Sequence, residues 1–307
     1  MKEDNPYLKL AHYITTLQAW LLASRPKTLT AAATPVIVAA ALAFRNGYFY
    51  WKPAVICLFF ALIAQIVSNF ANDYFDYKKG TDNEERLGPQ RAVAEGWIAP
   101  KTMLYATVGL LIIDLFLGLR LLHYGEWWLI FVGIAVALFA LAYSGGPYPL
   151  AYHGWGDVCV FFFFGIIPVG FTYYIQALRW DLPVTICGIA VGLVIINILV
   201  ANNYRDRDSD AKSGKKTTIV LFGERFGRLF YLFNGIAAVI CCQYFLFDNA
   251  VWAAVLPFVY LLLHIGTWRE MVRIGRGKQL VGVLEKTARN VLLFGILLFL
   301  GFIISSI

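Results

Sequence analysis

Two acidic patterns of the same design stand out in this sequence, each at the end of a long apolar run. The first occupies residues 69–80 and the second residues 203–214. At one constant offset, the matched pairs are Asn69 with Asn203, Asn72 with Asp206, Asp76 with Asp210, Lys78 with Lys212, and Gly80 with Gly214. Carboxylates where a membrane helix meets water are costly to keep unless a cation uses them. Two matched sets therefore predict one cation site that is built from two halves.

The spacing within each pattern indicates which cation this is. Residues four apart project from the same face of a helix, so Asn72 lies beside Asp76, and Asp206 lies beside Asp210. Oxygen ligands without His or Cys suit a hard cation, above all Mg²⁺. Magnesium binds few protein carboxylates directly and completes its octahedron with water and phosphate oxygens. We therefore predict that these four residues are ligands of a magnesium ion.

Basic side chains are interleaved with the acidic ones in both patterns. They are Lys78, Lys79, Arg91, Arg205, Lys212, Lys215 and Lys216. Cations at this spacing complement phosphate, so the combination favours a magnesium-bound diphosphate over a bare cation site. Asp73 and Asp208 fall outside the four-residue spacing, and we expect them at most to support the ligands.

The elements that position these residues follow from hydropathy. A mean hydropathy of +0.65 with only 15% charged residues excludes an ordinary soluble domain. Apolar runs of about 17 to 25 residues span a bilayer as helices, whereas barrel strands alternate over about ten residues. The nine predicted spans are 28–46, 53–72, 103–122, 127–144, 157–177, 183–202, 226–247, 250–266 and 289–306. The sequence thus predicts an all-α, polytopic membrane protein with a single domain over 1–307.

The distribution of Lys and Arg predicts the orientation of this bundle. The segments 78–101, 205–225 and 269–289 are rich in Lys and Arg, whereas the turns between them are poor. With nine spans, all the rich segments and the N-terminus fall on one side, which the positive-inside rule makes cytoplasmic. The segment 1–27 is predicted to be a cytoplasmic interfacial segment. This asymmetry accounts for the net charge of +7, and no soluble basic domain is left to bind nucleic acid.

The constant offset also predicts the internal organisation of the chain. Spans one to four and spans five to eight form two approximate repeats, and the ninth span is added at the end. In each repeat the acidic pattern closes the second span, so both patterns reach the same membrane face. A duplicated bundle with its site between the halves is a familiar arrangement in membrane proteins.

These residues resemble the UbiA superfamily of intramembrane aromatic prenyltransferases over nearly the whole chain. The segments that carry the resemblance are 72–76, 202–206, 214–217, 25–28, 86–91 and 143–150. The two acidic patterns are specific for the superfamily. The Gly-Pro-x-Arg and Tyr-Ser-Gly-Gly-Pro segments resemble the branch that prenylates 1,4-dihydroxy-2-naphthoate for menaquinone biosynthesis. Asp157 stands where many members have Glu, so the charge is kept.

The resemblance implies an Mg²⁺-dependent transferase in the bacterial cytoplasmic membrane, with its active-site loops on the cytoplasmic side. A polyprenyl diphosphate ionises, and the allylic cation alkylates the ring at the carbon bearing the carboxylate, with loss of carbon dioxide, giving demethylmenaquinol. The implied catalytic and metal-binding residues are Asn72, Asp76, Asp206 and Asp210. The implied diphosphate-binding residues are Arg25, Lys27, Lys78, Lys79, Arg91, Arg205, Lys215 and Lys216. The implied acceptor or prenyl pocket residues are Asn69, Asn203, Tyr143 and Asp157.

Two other functions fit parts of the sequence. The first is a prenyltransferase of the same superfamily for another aromatic acceptor, such as 4-hydroxybenzoate or homogentisate. The second is a secondary transporter, a class that also uses repeats and buried acids. Transporter sites lie near the membrane midplane, whereas both acidic patterns end their spans. Asp114, inside the third span, is explained by none of these functions.

Overall fold

The computed structural model describes residues 15–80, 88 and 90–307, and all the regular structure in these residues is helical. The helices are α1 (Thr16–Ser24), α2 (Pro26–Arg45), α3 (Trp51–Lys78), α4 (Pro100–Leu121), α5 (Leu129–Ala142), α6 (Gly156–Ala177), α7 (Leu182–Lys212), α8 (Thr218–Leu246), α9 (Val251–Ile274) and α10 (Leu280–Ile304). Within the described ranges, eight of them are long and apolar enough to cross a membrane. The apolar helix α5 is shorter. The predicted all-α, polytopic fold is confirmed, with one described helix for each of the nine predicted spans.

The N-terminal interfacial prediction is only partly covered, because residues 1–14 lie outside the described part of the chain. The remainder forms α1, which begins with a capping box between Thr15 and Gln18. Trp20 packs on Phe70 of α3 with ring centroids 5.3 Å apart. Arg25 adopts a left-handed conformation, with φ of 50°, and this turn separates α1 from α2. α1 is therefore anchored beside the first acidic pattern.

The two helices that carry the acidic patterns are longer than the predicted spans. α3 ends at Lys78 and α7 at Lys212, so both patterns continue the helix beyond the apolar run. The matched Gly80 and Gly214 follow with φ of 66° and 74°. Glycine reaches this left-handed region without a Cβ clash, which is why it commonly ends helices. The helical spacing assumed for the ligands is thus present in both halves.

The packing of the helices follows the predicted repeat. α3 packs extensively along α4 in the first half, and α7 packs in the same way along α8 in the second. The two first helices of the halves, α2 and α6, pack on each other. α10 lies against α2 and α9, so the added last helix closes the bundle.

A close approach between α6 and α7 positions the start of α6. A π-helical stretch interrupts α6 at Phe162–Ile166. A Cβ on Gly165 would lie 2.5 Å from the Cα of Gly192 in α7, so neither backbone can carry a side chain there without moving apart. The glycines therefore let α6 lie directly on α7.

Candidate functional site

The first acidic pattern is surrounded by residues from distant parts of the chain. The hydroxyl of Tyr152 donates to Asp76 Oδ1 at 2.8 Å, and Arg91 Nη2 lies 3.3 Å from Asp76 Oδ2. Asp73 Oδ2 accepts the backbone N–H of Ala92 at 3.1 Å. Because Asp73 holds the residue next to Arg91, the loop after α3 is attached to the helix that it follows. Asp73 thus supports the site without facing Asp76.

Asn72 and Lys79 extend this region towards the segment after α5. The hydroxyl of Ser144 donates to Asn72 Oδ1, and Lys79 Nζ donates to the backbone oxygen of Ser144 at 2.6 Å. The pKa of Lys79 is lowered overall. Burial is the largest cause, the charge of Lys215 acts in the same direction, and the charge of Asp76 opposes it. The ammonium of Lys79 is therefore within electrostatic reach of Asp76 and of Lys215, the residue that follows the second acidic pattern.

The second acidic pattern makes mostly local contacts. Arg205 is fully buried and binds Asp206 through two hydrogen bonds, of 2.7 and 2.5 Å, to the two carboxylate oxygens. It also donates to Asn202 Oδ1 at 2.8 Å. Lys215 Nζ lies 3.7 Å from Asp210 Oδ1. Asp206 and Asp210 are both buried and are each paired with a nearby cation.

Tyr152 joins the two patterns. It ends a short 3-10 helix, Leu150–Tyr152, between α5 and α6. Its ring lies 4.4 Å from Lys79 Nζ and 5.4 Å from Lys215 Nζ, and its backbone oxygen accepts the N–H of Lys216 at 3.0 Å. Ammonium groups are attracted to the face of an aromatic ring. The structure thus brings both acidic patterns, and a lysine from each half, around a residue that the sequence analysis did not select.

Two cavities meet at Tyr143. The larger encloses about 160 Å³ between the first-half helices and α6, and its lining is apolar apart from a few groups such as Gln65 and Ser68. The smaller encloses about 10 Å³ and is lined in part by Asn203 and Asp157. Tyr143 lines both cavities and lies within electrostatic reach of Asp76 and Asp210. Three of the four pocket residues named from the sequence, Tyr143, Asp157 and Asn203, therefore line the smaller cavity.

Other residues singled out in the sequence lie further from this meeting point. The amide of Asn69 donates to Ser24 O at 2.9 Å and Thr28 Oγ1 at 3.2 Å, so it holds the junction of α1 and α2 against α3. Lys27 is exposed and pairs with Glu285 at 2.5 Å. The pocket role of Asn69 and the diphosphate role of Lys27 stay predictions, and these contacts supply no support for them.

Three further basic residues named from the sequence occupy different surroundings. Lys78 Nζ lies over the ring of Tyr74, 5.0 Å from its centroid. Lys216 is exposed beside Lys215, and Arg25 is half-buried at the junction of α1 and α2. Asp208 is exposed and faces Arg276 at 3.8 Å, away from the other carboxylates of its pattern.

Sequence reasoning missed Tyr152, Ser144 and Glu224. Glu224 accepts from Tyr204 at 3.0 Å and from Arg207 at 3.2 Å, which holds the end of α7 on α8. Tyr152 and Asp76 are separated by 76 positions, so no local spacing relates them. The only available signal for Ser144 was its place in the Tyr-Ser-Gly-Gly-Pro segment.

The donor set can be tested against magnesium. Among the described residues, no group of three or more His, Cys, Asp or Glu side chains converges as a protein-only metal cage does. Instead, Tyr152 binds Asp76 of α3 and lies over Lys215, which is 3.7 Å from Asp210 of α7, so acids of both helices are linked through one cluster that also contains Arg91 and Lys79. Mg²⁺ is usually bound by one or two carboxylates together with substrate phosphates. These residues fit a magnesium ion shared with a diphosphate.

Comparison with known proteins gives a consistent result. The model of the UbiA prenyltransferase family matches residues 32–279. The 1,4-dihydroxy-2-naphthoate octaprenyltransferase of Escherichia coli is 33% identical over 95% of this chain and 97% of its own length. The protein of the same name from Mycobacterium tuberculosis is 35% identical over 90% of this chain and 94% of its own.

Solved structures share the fold. A UbiA homolog from Archaeoglobus fulgidus bound to GPP and Mg²⁺ superimposes with a TM-score of 0.67 at 15% identity, over 91% of this chain and 99% of that one. The apo structure of a UbiA homolog from Aeropyrum pernix gives a TM-score of 0.68 at 15% identity, over 91% and 98% of the two chains. At this level of identity the likeness establishes the architecture.

Proposed function

Because this chain belongs to the UbiA prenyltransferase family, we propose that it transfers a polyprenyl group from a polyprenyl diphosphate to 1,4-dihydroxy-2-naphthoate. The other products are diphosphate and carbon dioxide, and the prenylated product is demethylmenaquinol. The curated relatives named for this acceptor match nearly the full length of the chain, which favours it over 4-hydroxybenzoate or homogentisate. Family membership also removes the reason to consider a secondary transporter.

The observation that carries this proposal is the meeting of three different environments at Tyr143. Buried carboxylates and basic groups from both repeats lie on one side. The apolar cavity of about 160 Å³ suits the first part of an isoprenoid chain, and the small polar cavity suits a polar edge of the acceptor. A prenyl transfer needs a charged, an apolar and a polar environment around C1 of the prenyl group, where the bond to diphosphate breaks and the bond to the acceptor forms.

Each part of the donor has complementary residues at the site. Asn72, Asp76, Asp206 and Asp210 would hold Mg²⁺, which when bound stabilises the charge of the leaving diphosphate. Lys79, Arg91, Arg205 and Lys215 lie beside these ligands and would neutralise the remaining phosphate charge. Lys78, Lys216, Arg25 and Lys27 would act from further away.

The apolar surroundings serve the reactive intermediate. An allylic cation is captured by water unless water is excluded, and the larger cavity is almost entirely apolar. Tyr143 lines this cavity and lies within electrostatic reach of Asp76 and Asp210, so we assign its ring to the stabilisation of the allylic cation.

The chain is an integral membrane protein, since eight of its described helices are long and apolar enough to span a bilayer. The proposed location is the bacterial cytoplasmic membrane, with the N-terminus and both acidic patterns on the cytoplasmic side. The distribution of Lys and Arg supports this orientation. Water-soluble diphosphate would then leave directly into the cytoplasm.

The test is an acceptor assay with the purified protein in lipid. Polyprenyl diphosphate and Mg²⁺ are supplied with 1,4-dihydroxy-2-naphthoate, 4-hydroxybenzoate or homogentisate in parallel. We expect prenylated product, diphosphate and labelled carbon dioxide only with the carboxyl-labelled naphthoate, and no product after chelation of Mg²⁺. Product from another acceptor in place of the naphthoate would refute the acceptor, and full activity in chelator would refute the magnesium site.

A further inference from the structure

The carboxylate of Asp157 is buried with one of its two oxygens unused. Asp157 lies in the first turn of α6 and is 5% exposed. Its Oδ2 accepts the hydroxyl of Thr218 at 2.6 Å. Its Oδ1 has no hydrogen-bond partner among the described residues. A buried acceptor without a donor costs free energy, so this oxygen is expected to have a donor in the working protein.

The small cavity provides room for that donor. Asp157 lines it together with Tyr143, Asn203, Lys215 and Thr217. Its volume of about 10 Å³ is enough for roughly one water-sized atom. A naphthalene ring does not fit there, but a single hydroxyl oxygen on the edge of such a ring does. The ring itself then lies at the mouth of this cavity, beside Tyr143, which also lines the apolar cavity.

A second buried carboxylate shows that burial alone does not make such a site. Asp114 in α4 is also 5% exposed, and its Oδ1 also has no partner among the described residues. Asp114 lines neither of the two cavities, however. Asp157 differs because its carboxylate borders a space that opens beside Tyr143 and the charged groups.

We propose that Asp157 is the catalytic base, which accepts a hydrogen bond from the acceptor hydroxyl adjacent to the carboxylate-bearing carbon and removes its proton. This inference rests on the proposed function, because it assigns a role within that reaction. It also explains why the carboxylate is kept where only one of its oxygens is needed by Thr218.

In this step one proton moves from the acceptor hydroxyl to Asp157 and later returns, while diphosphate and carbon dioxide leave. The ring carbon bearing the carboxylate forms a bond to C1 of the prenyl group as the C1–O bond to diphosphate breaks. The hydroxyl on the adjacent carbon gives its proton to Asp157 and becomes a carbonyl, which leaves a β-keto carboxylate. This carboxylate loses carbon dioxide, and the electron pair forms an enolate that takes the proton back from Asp157. The aromatic quinol is restored, and Asp157 is again a carboxylate.

Thr217 and Thr218 connect this base to the second acidic pattern. Both residues follow Lys215 and Lys216 directly in the chain, and Thr217 caps α8 by accepting the N–H of Val220 at 3.3 Å. Because Thr218 holds Asp157 Oδ2, the carboxylate is oriented by the same loop that carries the lysines of the diphosphate region. One segment therefore orients the base and carries two lysines of the leaving-group site.

A binding comparison tests the proposal without requiring turnover. 1-Hydroxy-2-naphthoate keeps the hydroxyl next to the carboxylate, whereas 4-hydroxy-2-naphthoate lacks it and is otherwise matched. The dissociation constants of both are measured by titration into the purified full-length protein in lipid nanodiscs. We expect the wild type to prefer the 1-hydroxy compound by about tenfold or more, as a hydrogen bond to a charged group implies. Asp157→Asn should abolish this preference.

The controls separate a specific contact from a structural effect. Asp114→Asn changes a carboxylate with the same burial and should keep the wild-type preference. Asp157→Glu keeps the carboxylate and should restore at least part of both the preference and the rate. In the transfer assay, Asp157→Asn should lower kcat by about 100-fold or more, since general-base catalysis contributes 10²- to 10⁴-fold, while the KM for polyprenyl diphosphate stays within about twofold.

The outcomes distinguish this inference from the proposed function. If Asp157→Asn leaves the preference for 1-hydroxy-2-naphthoate unchanged, whether or not the binding of both compounds weakens, the role of Asp157 is overturned. This holds even if the wild type prenylates dihydroxynaphthoate normally. Wild-type protein that binds neither naphthoate and releases no diphosphate with dihydroxynaphthoate would overturn the proposed function, and the inference with it.

Discussion

The two halves of this protein carry the same acidic pattern and surround it differently. In the first half, the contacts of Asp76 come from Arg91 and from Tyr152, which are 15 and 76 positions away. In the second half, Asp206 is bound by its neighbour Arg205, and Asp210 is paired with Lys215. The first pattern therefore depends on tertiary packing, whereas the second is largely organised within its own helix and the turn that follows.

The interiors of the two halves also differ, because the second half is more tightly packed than the first. The apolar stretch of α7 is 67% buried and that of its counterpart α3 only 33%. The second half is filled by aromatic and polar side chains that bind one another. Tyr231 bonds Thr287 at 2.8 Å, and Tyr260 bonds His264 at 3.3 Å. The first half instead supplies most of the lining of the apolar cavity, which α6 completes.

This comparison shows that matched sequence patterns do not imply matched surroundings. Buried hydrogen bonds between side chains make a core rigid and specific, so the second half is suited to act as a scaffold. An unfilled apolar cavity lowers the stability of the fold, because the side chains around it lose packing contacts. Such a cavity is therefore expected where a ligand fills the space. The isoprenoid chain of the substrate is therefore expected among the first-half helices. The second half is expected to hold the site in a fixed position.

The largest expected effect comes from the matched acids. Asp76→Asn and Asp210→Asn should each lower kcat by about 100- to 1,000-fold, because each removes a charge that acts at the developing diphosphate. Asp208→Asn is the matched control, since that acid is exposed and faces Arg276. Rates measured over a magnesium titration provide the test. A loss in only one of the two matched variants would mean that the halves do not share one site.

A smaller effect is expected from Tyr152→Phe, which tests whether the first pattern depends on a distant residue. The change removes the hydroxyl that donates to Asp76 but keeps the ring between the two lysines. We expect the magnesium concentration that gives half the maximal rate to rise about tenfold, as is typical for loss of a group that orients a metal ligand. Tyr148→Phe serves as the control, because Tyr148 is exposed and stacks on His153. Equal behaviour of the two variants would contradict the bridging role of Tyr152.

The smallest effect separates the two interiors. Gly133 lines the apolar cavity of the first half, and Gly266 lies in α9 of the second half, with open space around both positions. Gly133→Leu should raise the KM for a long polyprenyl diphosphate by about fivefold, because overfilling a space costs about 1 kcal/mol or more. Gly266→Leu should leave this KM unchanged. The isoprenoid would not lie in the first-half cavity if both substitutions had the same effect.

Much of the architecture could be predicted from local patterns. Each apolar run became one described helix, because burial of a run of about 20 apolar residues in lipid depends only on that run. The helical spacing of Asn72 and Asp76, and of Asp206 and Asp210, was also predictable, since a helix places residues four apart on one face. The ends were less predictable, and α3 and α7 continue past the apolar runs to Lys78 and Lys212.

The arrangement of the site needed the tertiary structure. Asn69 and Asn203 are matched in the sequence, yet Asn69 ties α1 and α2 to α3 while Asn203 borders the small cavity. Equivalent positions in the two repeats meet different neighbours, because the added helix α10 and the loops break the symmetry of the halves. Lys27, which was grouped with the diphosphate residues, pairs with Glu285 near the start of α10, a contact that no local pattern indicates.

By itself, the sequence determined that the chain is a duplicated helical membrane protein with an acidic pattern closing the second helix of each repeat. These properties follow from hydropathy, charge and helical spacing, which act between residues close together in the chain. Only the tertiary structure decided that Tyr152 joins the two patterns and that the cavity lies between the first-half helices and α6. It also decided that Asp157, with one oxygen unpaired among the described residues, lines the same small cavity as Tyr143. Those contacts join residues far apart in the chain, so they exist only once the helices have packed.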